Sequence, residues 1–142
     1  MRLHHIGFVV SDIASAMPGF LQSMAATWDS QIFADPNQKV KVAFLSTRPG
    51  DAQVELVEPD GPDSPVLRFL KEKGGGLHHA CYEVADLEQE LSDFRDRGAF
   101  VVKRPKPAVA FQGRRIAWVM TYEGFLIELL EESSQNVPKD VA

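Results

Sequence analysis

HHIGFVVSDIASAM at residues 4–17 and HHACYEVADLEQEL at residues 78–91 decide the fold. At an offset of 74 they are identical at His4/His78, His5/His79, Val10/Val84 and Asp12/Asp86, and conservative at Phe8/Tyr82 and Ile13/Leu87. The offset recurs downstream, where KVAFLSTRPG (41–50) lies over RIAWVMTYEG (115–124). Deleting one residue then brings VELVE (54–58) over IELLE (127–131). Blocks in one order at nearly one spacing mark an internal duplication. The match fades over 18–40, where Pro18, Gly19 and Pro36 interrupt it.

Each copy reads as the same string of elements. LHHIGFVV is a strand by its β-branched and aromatic content. Asp12 caps a helix expected to reach about residue 25, with Pro18 kinking or breaking it. SQIF, KVKVAFLS and AQVELVE follow as strands, the last two joined by a turn at Gly50-Asp51. In the second copy LHHACYEV precedes a helix opened by Asp86 and Gln89. Its Leu87, Leu91 and Phe94 share one face, and Gly98 ends it. AFVVK, RRIAWVMT and FLIELLE complete the copy. The expected architecture is therefore α+β, two tandem βαβββ modules in a single domain over 1–132. Module one spans 1–59, a connector 60–75 and module two 76–132, with a flexible tail at 133–142. The connector should hold a short helix with Ser64 as cap and Pro65 at its first position. Gly74-Gly75-Gly76 reads as a helix stop and hinge; no GKS or GKT follows to make it a phosphate loop.

Composition narrows the function. A chain of 142 residues can bury one sizeable core. Its 44% hydrophobic and 25% charged content argues against disorder. No apolar run nears the ~20 residues of a membrane span. MRLHHIGFVVSD is followed by no small-residue cleavage site, so a secretory signal is not expected and a cytoplasmic location is. The single cysteine, Cys81, excludes an internal disulfide framework and a cysteine-rich zinc finger. It reads as a packing residue, not a nucleophile. A net charge of −5 disfavours nucleic-acid binding.

Strand parity locates the chemistry. Ile6, Phe8 and Val10, and in the copy Ala80, Tyr82 and Val84, belong to the helix-packed face. His5 and His79 then point the other way. By the same alternation His4 and His78 start the helix-side face. Val54 and Leu56 face the helices, as do Ile127 and Leu129, which sends Glu55 and Glu128 to the side of the histidines. Glu128 is flanked on that side by Leu126 and Leu130. A carboxylate among leucines needs a metal, a cationic partner or a proton. Singly, a strand histidine is ordinarily a rim residue and a strand glutamate solvent-facing. Here His5, Glu55, His79 and Glu128 recur in register in both copies. If the halves pair about a pseudo-twofold axis, two imidazoles and two carboxylates converge. That set neutralises one divalent metal ion and leaves coordination positions open. Nitrogen and oxygen donors without thiolate suit Ni, Co, Zn, Mn or Fe. Glu58 and Glu131 recur on the other parity and read as solvated or ion-paired.

These motifs resemble the vicinal oxygen chelate superfamily, which includes glyoxalases, bleomycin-resistance proteins and dioxygenases. The likeness spans about residues 1–132. It implies a curved mixed sheet around a metal site. The His-Glu-His-Glu order at 5, 55, 79 and 128 is similar to bacterial glyoxalase I. HHIG, VELVEPDGPDSPV, GGGLHHACYEV and LIELLE resemble methylmalonyl-CoA epimerase. Some epimerases carry a glutamate proposed as a base on the third strand; Val42 occupies the matching position. The resemblance implies a divalent-metal-dependent enzyme that moves a proton next to a carbonyl through an enediolate. The first expectation is a glyoxalase I-like lyase acting on the adduct of a small-molecule thiol, and the alternative an acyl-CoA epimerase acting beside a thioester. A metal-free small-molecule binder of the same fold is a third possibility. Glu128 is the first candidate base, and Glu55 serves the opposite face. The loop 103–115, with Lys103, Arg104, Lys106, Arg114 and Arg115, would steer anionic substrate arms. Trp118 and Phe44 are expected in the core, and a homodimer is implied.

Overall fold

The computed structural model describes residues 1–133, so the tail assignment lies, but for Ser133, outside the described residues. The first half contains β1 (Arg2–Val9), α1 (Ile13–Met24), β2 (Thr27–Trp28), β3 (Phe33–Asp35), β4 (Val40–Ser46) and β5 (Gln53–Pro59). The connector carries α2 (Leu67–Lys73). Then follow β6 (Gly76–Val84), α3 (Leu87–Asp96), β7 (Phe100–Pro107), a 3-10 turn (Val109–Phe111), β8 (Arg115–Met120) and β9 (Leu126–Glu131). All nine strands join one mixed sheet in the order β2-β4-β5-β1-β6-β9-β8-β7, with β3 also paired to β4. The two copies meet at its centre, where β1 and β6 run antiparallel. Each is flanked by a parallel partner from its own half, β5 beside β1 and β9 beside β6. The expected α+β architecture of two repeated halves is what the chain adopts, the second as βαβββ and the first with one more short strand after its helix.

Apolar alternation sets the layers. Ile13 and Met17 of α1 pack on Ala43, Leu45, Val54 and Leu56. Leu87, Leu91 and Phe94 of α3 pack on Ala117, Val119 and Leu129. Both helices are capped as their sequences predict, with Asp12 accepting from the Ala14 N–H at 3.0 Å and Asp86 from the Gln89 N–H at 3.1 Å. The opposite face of the sheet is covered in part by α2 and the 3-10 turn; Val66 at the start of α2 and Phe111 of the turn join separate apolar clusters.

Local expectations fail where side chains overrule propensity. Pro18 sits inside an unbroken α1. Ile13 and Met17 before it, and Phe20 and Leu21 after it, all pack on the same sheet face and hold the helix together. SQIF is not one strand. Asp29 accepts the Gln31 N–H at 3.0 Å and Ser30 takes a φ of 67°, a turn that divides it. Helix α2 starts after Val66, which supplies no side-chain cap; Ser64 Oγ is buried and without a hydrogen-bond partner, and Pro65 precedes the helix. Gly74 does end it, in the left-handed region at φ 75°. Lys103, Arg104 and Lys106 are not on a loop, because β7 extends to Pro107 through register shifts against β8.

Candidate metal centre

The central strands deliver the histidines. β1 and β6 are paired out of step at two places. Leu3 opposes Tyr82 and His5 opposes Cys81, so β1 holds an extra residue, His4; Gly7 opposes His79 and Phe8 opposes Leu77, so β6 holds an extra residue, His78. A bulge of this kind breaks strict alternation and re-aims a side chain. This corrects the parity reading of His4 and His78, which lie beside His5 and His79 and not on the helix side. His4 packs against Phe111 and Phe44, with ring centroids 5.3 and 6.5 Å away. His78 lines the cavity described below.

Flanking strands deliver the carboxylates. Glu55 lies on β5 and Glu128 on β9, on opposite sides of the central pair. The four side chains come together as the duplication predicts. His5 Nε2 stands 3.2 Å from His79 Nε2, 3.0 Å from Glu128 Oε1 and 3.5 Å from Glu55 Oε1. His79 Nε2 stands 3.2 Å from Glu55 Oε1 and 3.7 Å from Glu128 Oε1. His5 is fully buried, and the other three are at most 5% exposed. Gly7 makes room for this packing. A Cβ there would lie 2.2 Å from Cε1 of His79.

Electrostatics make the cluster unusual. Burial alone would lower the His5 imidazole, but the Glu55 and Glu128 carboxylates raise it to about 10. Burial would raise Glu55, but His5 and His79 hold it well below the ordinary carboxylate range. His4 and His78 are each pushed down to about 4 by burial and by the adjacent histidine. Glu128 Oε1 is buried and accepts no hydrogen bond, although His5 Nε2 is only 3.0 Å away.

A divalent cation fits these donors. With metal–ligand bonds of about 2.1 Å, neighbouring donors stand about 3.0 Å apart in an octahedron and about 3.4 Å in a tetrahedron. Five of the six donor separations, at 3.0–3.7 Å, bracket those values, and His5, His79 and Glu128 form a trio whose ligand atoms all lie within 4.8 Å of one another, with Glu55 beside both imidazoles. The donor chemistry agrees, two neutralising carboxylates with two imidazoles. The orphaned Glu128 oxygen would gain a partner. A second trio, His4, His5 and Cys81, also gathers within 4.8 Å. It is the poorer set, because burial and then the Glu128 charge push the Cys81 thiol up, keeping it protonated.

Above the cluster opens an apolar cavity of about 250 Å³. Val42, Val57, Phe111, Ile116, Trp118 and Leu126 are among its walls, with His79, Glu55 and Glu128 at the polar end. Val42, on β4, puts an aliphatic side chain and no carboxylate at its place in the wall. Trp118 joins the core, as expected, but also faces the cavity, its ring centroid 4.8 Å from that of His79. Asp35 is another cavity carboxylate, 3% exposed. It is committed to structure, accepting the N–H groups of Asn37, Gln38 and Val109 at 2.9–3.2 Å. Sequence reading passed over Asp35 and Phe111, which tie this side of the cavity to the sheet.

The cations of the second half separate into two groups. Arg114 binds buried Glu83 at 3.0 Å, and Arg115 binds Glu88 and Glu131. Lys103 instead lines the cavity; burial lowers its amine, and Lys106 and Lys39 lower it further. Glu58 accepts the Ile13 N–H at 2.8 Å, so neither it nor Glu131 enters the site.

Fold and donor set together define a class. The chain belongs to the glyoxalase/bleomycin resistance protein/dioxygenase superfamily, whose family model matches residues 4–118. It is 35% identical to an uncharacterised Bacillus subtilis protein, YqjC, over 92% of this chain and 91% of that one. It is 30% identical to the ethylmalonyl-CoA/methylmalonyl-CoA epimerase of Cereibacter sphaeroides, over 90% of this chain and 96% of the relative. Among solved structures, methylmalonyl-CoA epimerase from Mycobacterium tuberculosis superposes with a TM-score of 0.81 at 25% identity, covering 94% of this chain and 89% of that one. A methylmalonyl-CoA epimerase in complex with methylmalonyl-CoA and NH4+ superposes with a TM-score of 0.78 at 26% identity, covering 94% and 95%. No helix among the described residues is long and apolar enough to cross a membrane.

Proposed function

We propose that this chain is a divalent-metal-dependent enzyme of the acyl-CoA epimerase type, moving a proton on the carbon next to a thioester carbonyl. The observation that carries this reading is the convergence of His5, Glu55, His79 and Glu128 beneath an apolar cavity. Similarity to acyl-CoA epimerases over nine-tenths of the chain supports the thioester over the thiol adduct expected first. It moves the glyoxalase I-like reading to second place.

His5, Glu55, His79 and Glu128 would hold the metal, one of Ni, Co, Zn, Mn or Fe. When bound, it supplies Lewis acidity toward the charge that develops on substrate oxygen. The protein's residues do the rest. The apolar walls exclude water from the carbanionic carbon and seat the acyl arm. Lys103 at the wall favours an anionic substrate. Epimerisation needs a proton removed from one face and another delivered to the opposite face. Glu55 and Glu128 stand on strands either side of the central pair, which supports a role for one at each face of the reacting carbon. Glu128, with its unbonded buried oxygen, is the first candidate to take the proton.

One observation favours the second reading, a glyoxalase I-like proton shift between neighbouring carbons. Val42 on β4 offers no base at the cavity wall, so all proton traffic falls to the cluster's own carboxylates. Parallel assays on metal-loaded protein separate the two. Deuterium exchange into methylmalonyl-CoA is expected, without thioester formation from methylglyoxal and glutathione. Thioester formation without exchange would reverse the order, and neither reaction would refute both.

A further inference from the structure

Two features of the site recur at the repeat offset but do not belong to the ligand set: the bulged histidines. His4 Nδ1 lies 2.8 Å from His5 Nδ1, and His78 Nδ1 lies 2.9 Å from His79 Nδ1. The rings in each pair stand nearly perpendicular, at 80° and 90°. Both outer rings are clamped by aromatics. Phe111 holds His4 at 5.3 Å, and Phe69 holds His78 at 4.9 Å. Strict alternation would have put these imidazoles on the other side of the sheet; two separate bulges bring them here.

The proton arithmetic of these pairs has one solution if His5 and His79 are ligands. Their Nε2 atoms face the cluster, 3.2 Å from each other. A ligating imidazole gives its Nε2 lone pair to the metal and keeps its proton on Nδ1. That N–H points at the outer histidine's Nδ1, which must then be a bare acceptor. The outer ring's own proton therefore sits on Nε2. The opposite tautomer would set two N–H groups against each other.

We propose that His4 and His78 are positioning residues. Each, as the neutral Nε2–H tautomer, accepts the Nδ1–H of the following histidine and so fixes that ring's tautomer and rotation. This rests on the reading of His5 and His79 as metal ligands. A carboxylate or backbone carbonyl ordinarily fills this supporting role. A neutral imidazole fills it without adding negative charge beside Glu55 and Glu128.

The test uses the full chain loaded with zinc for nitrogen-15 NMR, and cobalt titration of metal-stripped variants. NMR should show His5 and His79 carrying the proton on Nδ1, and His4 and His78 carrying it on Nε2. His4→Phe and His78→Phe keep the aromatic packing and lose the acceptor; each should weaken cobalt binding about 10–100-fold. His4→Asn and His78→Asn place an amide oxygen near the lost Nδ1 and should restore binding to within about threefold of wild type, a rescue that a packing role would not give. Metal-free melting curves report whether each variant folds. A proton on Nδ1 of either outer histidine, or Phe variants that bind cobalt as the wild type does, would overturn the proposal and leave the metal reading standing. A wild-type chain that binds neither metal would overturn both.

Discussion

His5 Nε2 and Glu128 Oε1 lie 3.0 Å apart in a buried cluster, yet Glu128 Oε1 accepts no hydrogen bond. Burial would lower the His5 imidazole, but Glu55 and Glu128 raise it to about 10, so the metal-free cluster holds a proton on His5 at neutral pH. A cation must expel that proton. Apparent cobalt affinity should therefore rise up to tenfold per pH unit between pH 6.5 and 8.5. Calorimetry in buffers of different ionisation enthalpy should count about one proton released. The sign for stability is the reverse. A raised folded-state value stabilises the metal-free protein fully below the ordinary 6.5 and is lost as pH rises through about 10. The melting temperature of the metal-free protein should fall across that window.

Among the glycines, Gly7 has the least room for a side chain. Adding a Cβ would place it 2.2 Å from Cε1 of the His79 ring and 2.6 Å from both ring nitrogens, so the imidazole must shift. Gly7→Ala should cost about 1–3 kcal/mol from overpacking and lower cobalt affinity at least tenfold. Thermal melts with and without metal measure both, and an unchanged metal-induced rise in melting temperature would contradict the account.

Glu128→Gln keeps the shape of the side chain and removes its basicity. The fold should persist by circular dichroism. Deuterium exchange into the substrate should drop about 10²–10⁴-fold, the ordinary scale of a lost general base. Full activity would remove Glu128 as the base.

Arg114 serves the fold. Burial would raise the Glu83 carboxyl, but hydrogen bonds from Arg2 and Arg114 hold it below the ordinary range. Arg114→Ala leaves that carboxylate, 3% exposed, short of a partner and should destabilise by about 1–3 kcal/mol. The depressed value adds stability above the ordinary 4.5, lost as pH falls through the folded-state value. Acid unfolding of the variant should therefore begin at higher pH than that of the wild type, as denaturation at stepped pH would show.

The repeat at 4–17 and 78–91 made the architecture legible, because a duplicated pattern of strands and helix leaves few ways to pair the halves. Parity then put His5, Glu55, His79 and Glu128 on one face, and that face is where they meet. Parity failed at His4 and His78, since nothing in a strand's alternation announces an extra residue; only pairing β1 with β6 creates the bulges. Pro18 misled because the breaker rule is local and the packing of Met17 and Leu21 is not. The cation run at 103–115 misled because charge says nothing about strand length, and Arg114 and Arg115 had carboxylate partners distant in sequence. Gly7 carried a signal that was there to be read, a residue without a side chain in the middle of the strand that presents His5.

The proposed chemistry needs one cation shared by four side chains, and a crystal of the cobalt-loaded protein examined at the cobalt absorption edge tests this directly. A single anomalous peak should lie about 2.0–2.2 Å from His5 Nε2, His79 Nε2 and one oxygen each of Glu55 and Glu128. Cobalt bound elsewhere on the chain, with these four side chains left uncoordinated, would contradict it.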